Sequence, residues 1–163
     1  MLRKLIITAL ILSVLPAVSF AASSSSGAYN TWGPRLGFST GPDQFLVGGQ
    51  LNFSEMAPNI AFAPNIDIGF GDNVTTICLN GDLHYMFSLR NSVWRPYVGA
   101  GVGITFEDFD SDVGGGSNTD VGGSVIIGAT APTKRGSKFF SELKLGIGDI
   151  ADFKLLVGWN FPM

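Results

Sequence analysis

The chain has 163 residues, 45% of them hydrophobic and 12% aromatic, with a formal charge of −3. That balance holds no basic surplus to attract nucleic acid, and no Lys/Arg run suggests any. Cys78 is the single cysteine, which excludes an intramolecular disulfide, and beyond residue 21 no apolar stretch is long enough for a transmembrane helix.

The chain opens on Arg3 and Lys4, then an apolar run over 5–18, then Ser19-Phe20-Ala21 with small residues at the two positions a signal peptidase inspects. This predicts a secretory signal peptide over 1–21 and export of the protein. Removing it leaves eight basic residues against thirteen acidic ones, a formal charge of −5. Residues 22–30, with four serines, read as a flexible leader. Glycine is abundant, with 22 residues, which together with the aromatics suits many strands and tight turns.

From residue 31 onward, apolar side chains recur with a period of two, the mark of a strand with different surroundings on its two faces. The first strand, 31–39, sets Leu36 and Phe38 against Arg35. After a turn at 40–43, the second, 44–54, sets Phe45, Val47, Leu51 and Phe53 against Gln44, Gln50 and Asn52. The third, 60–70, sets Ile60, Phe62, Ile66, Ile68 and Phe70 against Asn65 and Asp67, and Pro64 within it predicts a bulge. Gly71-Asp72-Asn73 is a tight hairpin signal. The fourth strand, 74–87, sets Ile77, Leu79, Leu83, Tyr85 and Phe87 against Thr76, Cys78, Asn80, Asp82 and His84.

The fifth, 94–106, sets Trp94, Val98, Val102, Ile104 and Phe106 against Arg95, Tyr97, Gly99, Gly101, Gly103 and, just beyond, Glu107. A long acidic and glycine-rich loop is expected over 108–119. The sixth strand, 120–129, sets Val121, Val125 and Ile127 against Gly122, Ser124 and Gly128, and a basic turn follows at 132–136. The seventh, 138–147, sets Phe139, Leu143, Leu145 and Ile147 against Glu142 and Lys144. The eighth, 151–161, sets Phe153, Leu155, Val157, Trp159 and Phe161 against Asp152, Lys154, Leu156, Gly158 and Asn160.

Across all eight strands the apolar face lacks Asp, Glu, Lys and Arg, and aromatics gather at strand ends. A basic residue on a lipid-facing position near the bilayer midplane would cost about 2–4 kcal/mol. The pattern therefore predicts an all-β fold over 31–161: an eight-stranded antiparallel up-and-down transmembrane β-barrel, closed so that no edge meets lipid. Periodicity alone cannot tell inside from outside. A soluble lipocalin-like barrel, with its apolar face turned inward around a ligand, shares the same alternation.

The stretch Lys154-Leu-Leu-Val-Gly-Trp-Asn-Phe161 resembles the terminal assembly signal of bacterial outer-membrane barrels, with Lys154, Trp159 and Phe161 matching. In strand count and patterning the exported chain resembles the small eight-stranded OmpA/OmpX-type domains. That resemblance implies the outer membrane as location, membrane lipid, lipopolysaccharide and the barrel-assembly machinery as partners, a monomer, and both termini in the periplasm. It implies no catalytic residue and no cofactor. Two residues depart from the signal's pattern: Leu156 stands where the family prefers glycine, and Pro162-Met163 follow the final aromatic.

An eight-stranded lumen is just wide enough to be filled by side chains. The inward charges Arg35, Asp67, Asp82, Arg95, Glu107, Glu142, Lys144, Asp152 and Lys154 are near balance, which predicts a paired internal network rather than an ion path. Glycines 99, 101 and 103 read as spacers in that lumen; they lack the spacing of a nucleotide-binding loop. His84, the only histidine, reads as lumen packing rather than as the base of a lipid-trimming barrel enzyme. Asp108-x-Asp110-x-Asp112 is a weak candidate for a calcium loop, with Gly114 one place late and no closing glutamate, so a solvated acidic loop is preferred. The function expected is a structural or surface-interaction role, with a narrow channel and the soluble carrier as alternatives.

Overall fold

The computed structural model describes residues 30–109 and 116–163. Eight strands follow in chain order: β1 (Thr31–Thr40), β2 (Gln44–Ala57), β3 (Ile60–Gly71), β4 (Val74–Met86), β5 (Arg95–Phe109), β6 (Gly116–Pro132), β7 (Lys138–Gly148) and β8 (Phe153–Pro162). Each pairs antiparallel with the next, and β8 pairs with β1, so the sheet closes into a barrel without a free edge. The expected signal peptide and leader, up to residue 29, lie outside the described residues, as do Asp110 and Asp112.

Closure settles which face is inside. Along β1 buried and exposed residues alternate without exception, with Arg35 and Ser39 buried and Trp32, Leu36 and Phe38 exposed. The same sense holds in the other strands: Val47, Ile68, Leu79, Val102, Ile127 and Leu155 point outward, while Gln50, Asp67, Asp82, Glu142 and Lys154 are buried within. The lipocalin-like alternative requires the reverse and is overturned.

Aromatic rings gather in two belts on the outer surface. Near the termini Trp32 packs on Phe161 at 5.8 Å, and Phe139 lies between Trp94 at 6.4 Å and Trp159 at 5.2 Å. At the far end Phe38 packs on Phe45 at 5.4 Å, with Phe70 and Phe106 also exposed. Trp94 and Phe106 stand twelve residues apart along one stretch. At a rise of about 3.3 Å per residue and a tilt near 40°, that spans roughly 30 Å of barrel height, enough to flank a hydrocarbon layer. Among the described residues, none between the belts on the outer face is charged.

The strand ends hold the corrections. The hairpin of β5 and β6 continues to the pair Phe109–Gly116, so residues 108–109 and 116–119 of the expected 108–119 loop are paired strand. Phe109 pairs with both Val74 and Gly116, which carries the ladder beyond the expected boundary at 106, and glycine and aspartate on this stretch gave no hint of it. Asp108, one of the three calcium-loop candidates, sits in this ladder opposite Ser117. No bulge occurs at Pro64: it pairs with Gly81 of β4 in unbroken register, and towards β2 it falls in a gap between the pairs Gln50–Asn65 and Phe53–Phe62. The missing N–H is absorbed by that gap, without an extra residue. The register shift lies instead between Phe53 and Ala57 of β2. The hairpin at 71–73 forms as expected, with Asn73 at φ 63°, a backbone region asparagine tolerates.

The closing seam depends on close backbone approach. A Cβ at Gly33 would lie 1.7 Å from the Trp159 carbonyl oxygen, and one at Gly158 would lie 2.3 Å from the Pro34 carbonyl oxygen and 2.7 Å from the Phe140 ring. The β1–β8 pairs are interrupted at Gly33 and Pro34 and resume at Arg35–Gly158. Glycine at these two positions lets the first and last strands meet around the lumen side chains.

Candidate functional site

Among the described residues, chemistry-bearing side chains converge in the lumen. Its fully buried ions are Arg35, Lys144 and Lys154 against Asp67, Asp82 and Glu142, so charge balances in the interior. Arg35 from β1 places Nε 2.9 Å from Asp67 Oδ1 on β3 and Nη2 3.6 Å from Glu142 Oε1 on β7. Lys144 from β7 donates to Asp82 Oδ2 on β4 through a short contact and lies 3.9 Å from Glu142 Oε1. Four strands are thus tied across the barrel by one ionic cluster.

Neutral groups complete it. Asn65 Nδ2 donates to Asp82 Oδ2 at 2.7 Å, Asn80 Nδ2 donates to Asn65 Oδ1 at 2.9 Å, and Arg35 Nη1 donates to Gln50 Oε1 at 3.1 Å. The Tyr97 hydroxyl donates to Glu142 Oε2 at 2.9 Å. His84 stacks on Tyr97 with ring centroids 4.6 Å apart and holds Nε2 3.6 Å from the same carboxylate. Phe140, Leu46, Ile126 and Leu156, all 2% exposed or less, fill space around these groups.

Room for the cluster comes from the glycine row of β5. Register sets Gly99 opposite His84, Gly101 opposite Asp82 and Gly103 opposite Asn80. A Cβ at Gly101 would lie 2.1 Å from Asp82 Oδ1, one at Gly103 2.4 Å from Asn80 Oδ1, and one at Gly99 2.8 Å from His84 Cδ2. The glycines are spacers for the polar side chains of the neighbouring strand, as the sequence suggests.

Not every expected member joins. Lys154 is buried and lies directly across from Lys144 in the β7–β8 register, yet its ammonium turns away to Cys78 Sγ at 3.4 Å. The two like charges on facing positions are thereby separated. Cys78 in turn contacts Thr105 Oγ1 at 3.3 Å. Glu107 stands at the far mouth, where with Lys154, Thr76 and Cys78 it lines a void of about 10 Å³, space for a single water. Arg95 lies at the opposite mouth and makes no ion pair with the cluster. Asp152, just before β8, is exposed. Tyr97, Gln50, Asn65 and Asn80 belong to the network without having been singled out, although their inward parity is readable in the sequence.

Chemically, this arrangement is a closed, self-compensated plug. A cavity of about 90 Å³ at the end carrying the termini stops at Gln50, His84, Tyr97 and Phe140. No group of three or more His, Cys, Asp or Glu side chains that could hold a metal exists among the described residues. Trp159 and Phe161 of the expected assembly signal face outward on β8, while Lys154 of that signal points into the lumen.

No family model matches the chain, and no curated protein does. Solved structures do. The N-terminal β-barrel domain of Pseudomonas aeruginosa OprF is similar with a TM-score of 0.71 at 15% identity, over 83% of this chain and 98% of that one. Neisserial surface protein A follows with 0.66 at 13% identity, over 85% and 98%. The outer-membrane enzyme PagL gives 0.50 at 11% identity, over 82% of this chain and 99% of that one. At these identities the likeness concerns architecture: the chain has the fold of the small eight-stranded outer-membrane β-barrels.

Proposed function

We propose that this protein is an integral outer-membrane barrel with a structural or surface-interaction role, neither a channel nor an enzyme. The observation that carries this reading is the inverted distribution of polarity: an uncharged apolar outer band between two aromatic belts, around a lumen blocked by a charge-balanced cluster. Buried ions held this way are fixed by their partners rather than free to pass protons or ions along the axis. His84 is 4% exposed, inside the barrel against Tyr97 and Glu142, where a membrane lipid on the outer surface does not reach it.

The two ends differ in charge. Asp43, Asp72, Asp108, Asp149 and Asp152 cluster at the end away from the termini, while Arg90, Arg95, Arg135 and Lys138 lie at the terminal end. With the termini in the periplasm, the acidic loops face outward, where divalent cations would bridge them to lipopolysaccharide. The outward aromatics Trp159 and Phe161 on the last strand, with Lys154, are the features the barrel-assembly machinery would read.

Fractionated cell envelopes test this. The protein is expected to require detergent for extraction, to run as a compact species when unheated and to shift on boiling. In planar bilayers it is expected to give no conductance steps. Recovery in the aqueous periplasmic fraction would overturn the membrane reading, and steady unitary conductance would overturn the closed lumen.

A further inference from the structure

At the end away from the termini the outer face carries an open hollow of about 550 Å³, and an aromatic belt does not explain its rim. Its floor is a row of three phenylalanine rings, Phe38, Phe45 and Phe70. Register sets Phe38 opposite Phe45, and Phe45 opposite Phe70, across β1, β2 and β3. All are exposed, and the rings of Phe38 and Phe45 meet at 65° with centroids 5.4 Å apart rather than stacking flat. Next to them on the same strands, towards the termini, Leu36, Val47 and Ile68 point outward. The row is therefore the head of an apolar lane that runs down the barrel into the lipid-facing band.

The rim is of opposite character. Asp43 and Asp72 line the hollow at the tips of two adjacent hairpins, each one residue beyond the last β2–β3 pair, Gln44–Gly71. Both are exposed. Like charges on facing positions repel. No lysine or arginine stands in any turn at this end, since 41–43, 72–73, 110–115 and 149–152 contain none. The faces of aromatic rings carry partial negative charge and attract cations, quaternary ammonium groups among them. Rings and carboxylates thus favour the same ligand, a cation with an apolar continuation.

From this geometry we infer that the hollow is a binding site for a phospholipid with an ammonium headgroup. Its chains lie along Leu36, Val47 and Ile68, its ammonium rests against the rings of Phe38, Phe45 and Phe70, and Asp43 and Asp72 close on that charge from the water side. The ammonium is the outermost group of such a head, so it reaches past the phosphate to the carboxylates. The same two carboxylates repel an anionic lipid, which makes the site selective by charge. The inference rests on the membrane reading above. Which leaflet the hollow meets follows from the orientation, and the site itself does not depend on it.

The test is a titration of the whole folded protein in non-ionic detergent at low salt, followed by backbone amide shifts. One arm uses a short-chain phosphatidylcholine and the other the phosphatidylglycerol of the same chains. Saturable shifts at Gln44, Gly71 and Asp72 are expected with the first and none with the second, and tetramethylammonium should compete. Joint replacement of Asp43→Asn and Asp72→Asn should weaken binding roughly three- to tenfold, as loss of two exposed ion pairs does. Phe70→Leu should weaken it roughly two- to fivefold through the lost ring face. Asp149→Asn and Phe106→Leu, at the same end but not in the lining of the hollow, should leave affinity unchanged. No saturable shift with phosphatidylcholine, equal binding of both lipids, or unchanged affinity in the joint variant overturns the site. Saturation of the same amides by calcium ions alone also overturns it and leaves the divalent bridge to lipopolysaccharide standing. Extraction by detergent and mobility on unheated gels, read on the same preparation, test the membrane reading itself, so the two readings fail separately.

Discussion

Asp82→Asn is expected to destabilise the folded barrel by about 3–5 kcal/mol, measured by reversible urea unfolding in lipid vesicles. Asp82 is 1% exposed and accepts from both Lys144 and Asn65. Without its charge, the Lys144 ammonium retains only Glu142 at 3.9 Å, already engaged by Arg35 at 3.6 Å and by the Tyr97 hydroxyl. A buried ion that has lost its partner is far costlier than the pair is beneficial. The double variant Asp82→Asn with Lys144→Met should therefore recover most of the loss, because it removes the orphaned charge and leaves a flexible apolar chain in its place. A double variant as unstable as the sum of its singles would show that the cluster acts through shape rather than charge.

Val102→Arg is expected to cost about 2–4 kcal/mol in the same vesicles. Val102 is 70% exposed, at the middle of β5 between the two aromatic belts, so its side chain meets the centre of the hydrocarbon. Val93 is a matched control: 67% exposed, but in the 87–94 turn at the terminal end. Val93→Arg should cost about 0–1 kcal/mol, the value for an interfacial position. In a water-exposed barrel both substitutions would be close to neutral, and the difference between them is the signature of the membrane.

Most of the architecture was legible because period-two alternation is a local property. The parity of Arg35, Asp67, Asp82, Glu142 and Lys144 along their own strands is enough to place them on one face, and closure then brings them together. Which face is inside was not legible from the alternation alone, since reversing the barrel leaves it unchanged; the uncharged apolar face and the aromatics at strand ends carried that reading. Axial height was also hidden. Arg95 and Glu107 lie on the polar face near opposite ends of one strand, but that Asp82 stands midway between them in height, opposite Gly101, is a relation between strands. Lys154 shows the same limit: its facing position opposite Lys144 and its turn towards Cys78 follow from the β7–β8 register and the space left by neighbours. Tyr97 was on the polar face by count, yet nothing local shows that its hydroxyl meets Glu142 forty-five residues on. Pro64 misled because a proline in a strand needs a missing hydrogen bond, which a ladder gap provides as well as a bulge.

The most direct measurement of the central claim, that the apolar face lies against lipid, is depth-resolved quenching of tryptophan emission in vesicles of brominated phospholipid. Trp32, Trp94 and Trp159 are each 45% or more exposed on the outer surface, all in the belt near the termini. Tryptophan on an interfacial belt sits at the level of the headgroups. Bromines placed near the headgroup should therefore quench the emission strongly, and bromines near the ends of the chains only weakly. Emission that no brominated lipid quenches, from a chain that remains folded, would place the apolar face away from the membrane and contradict the account.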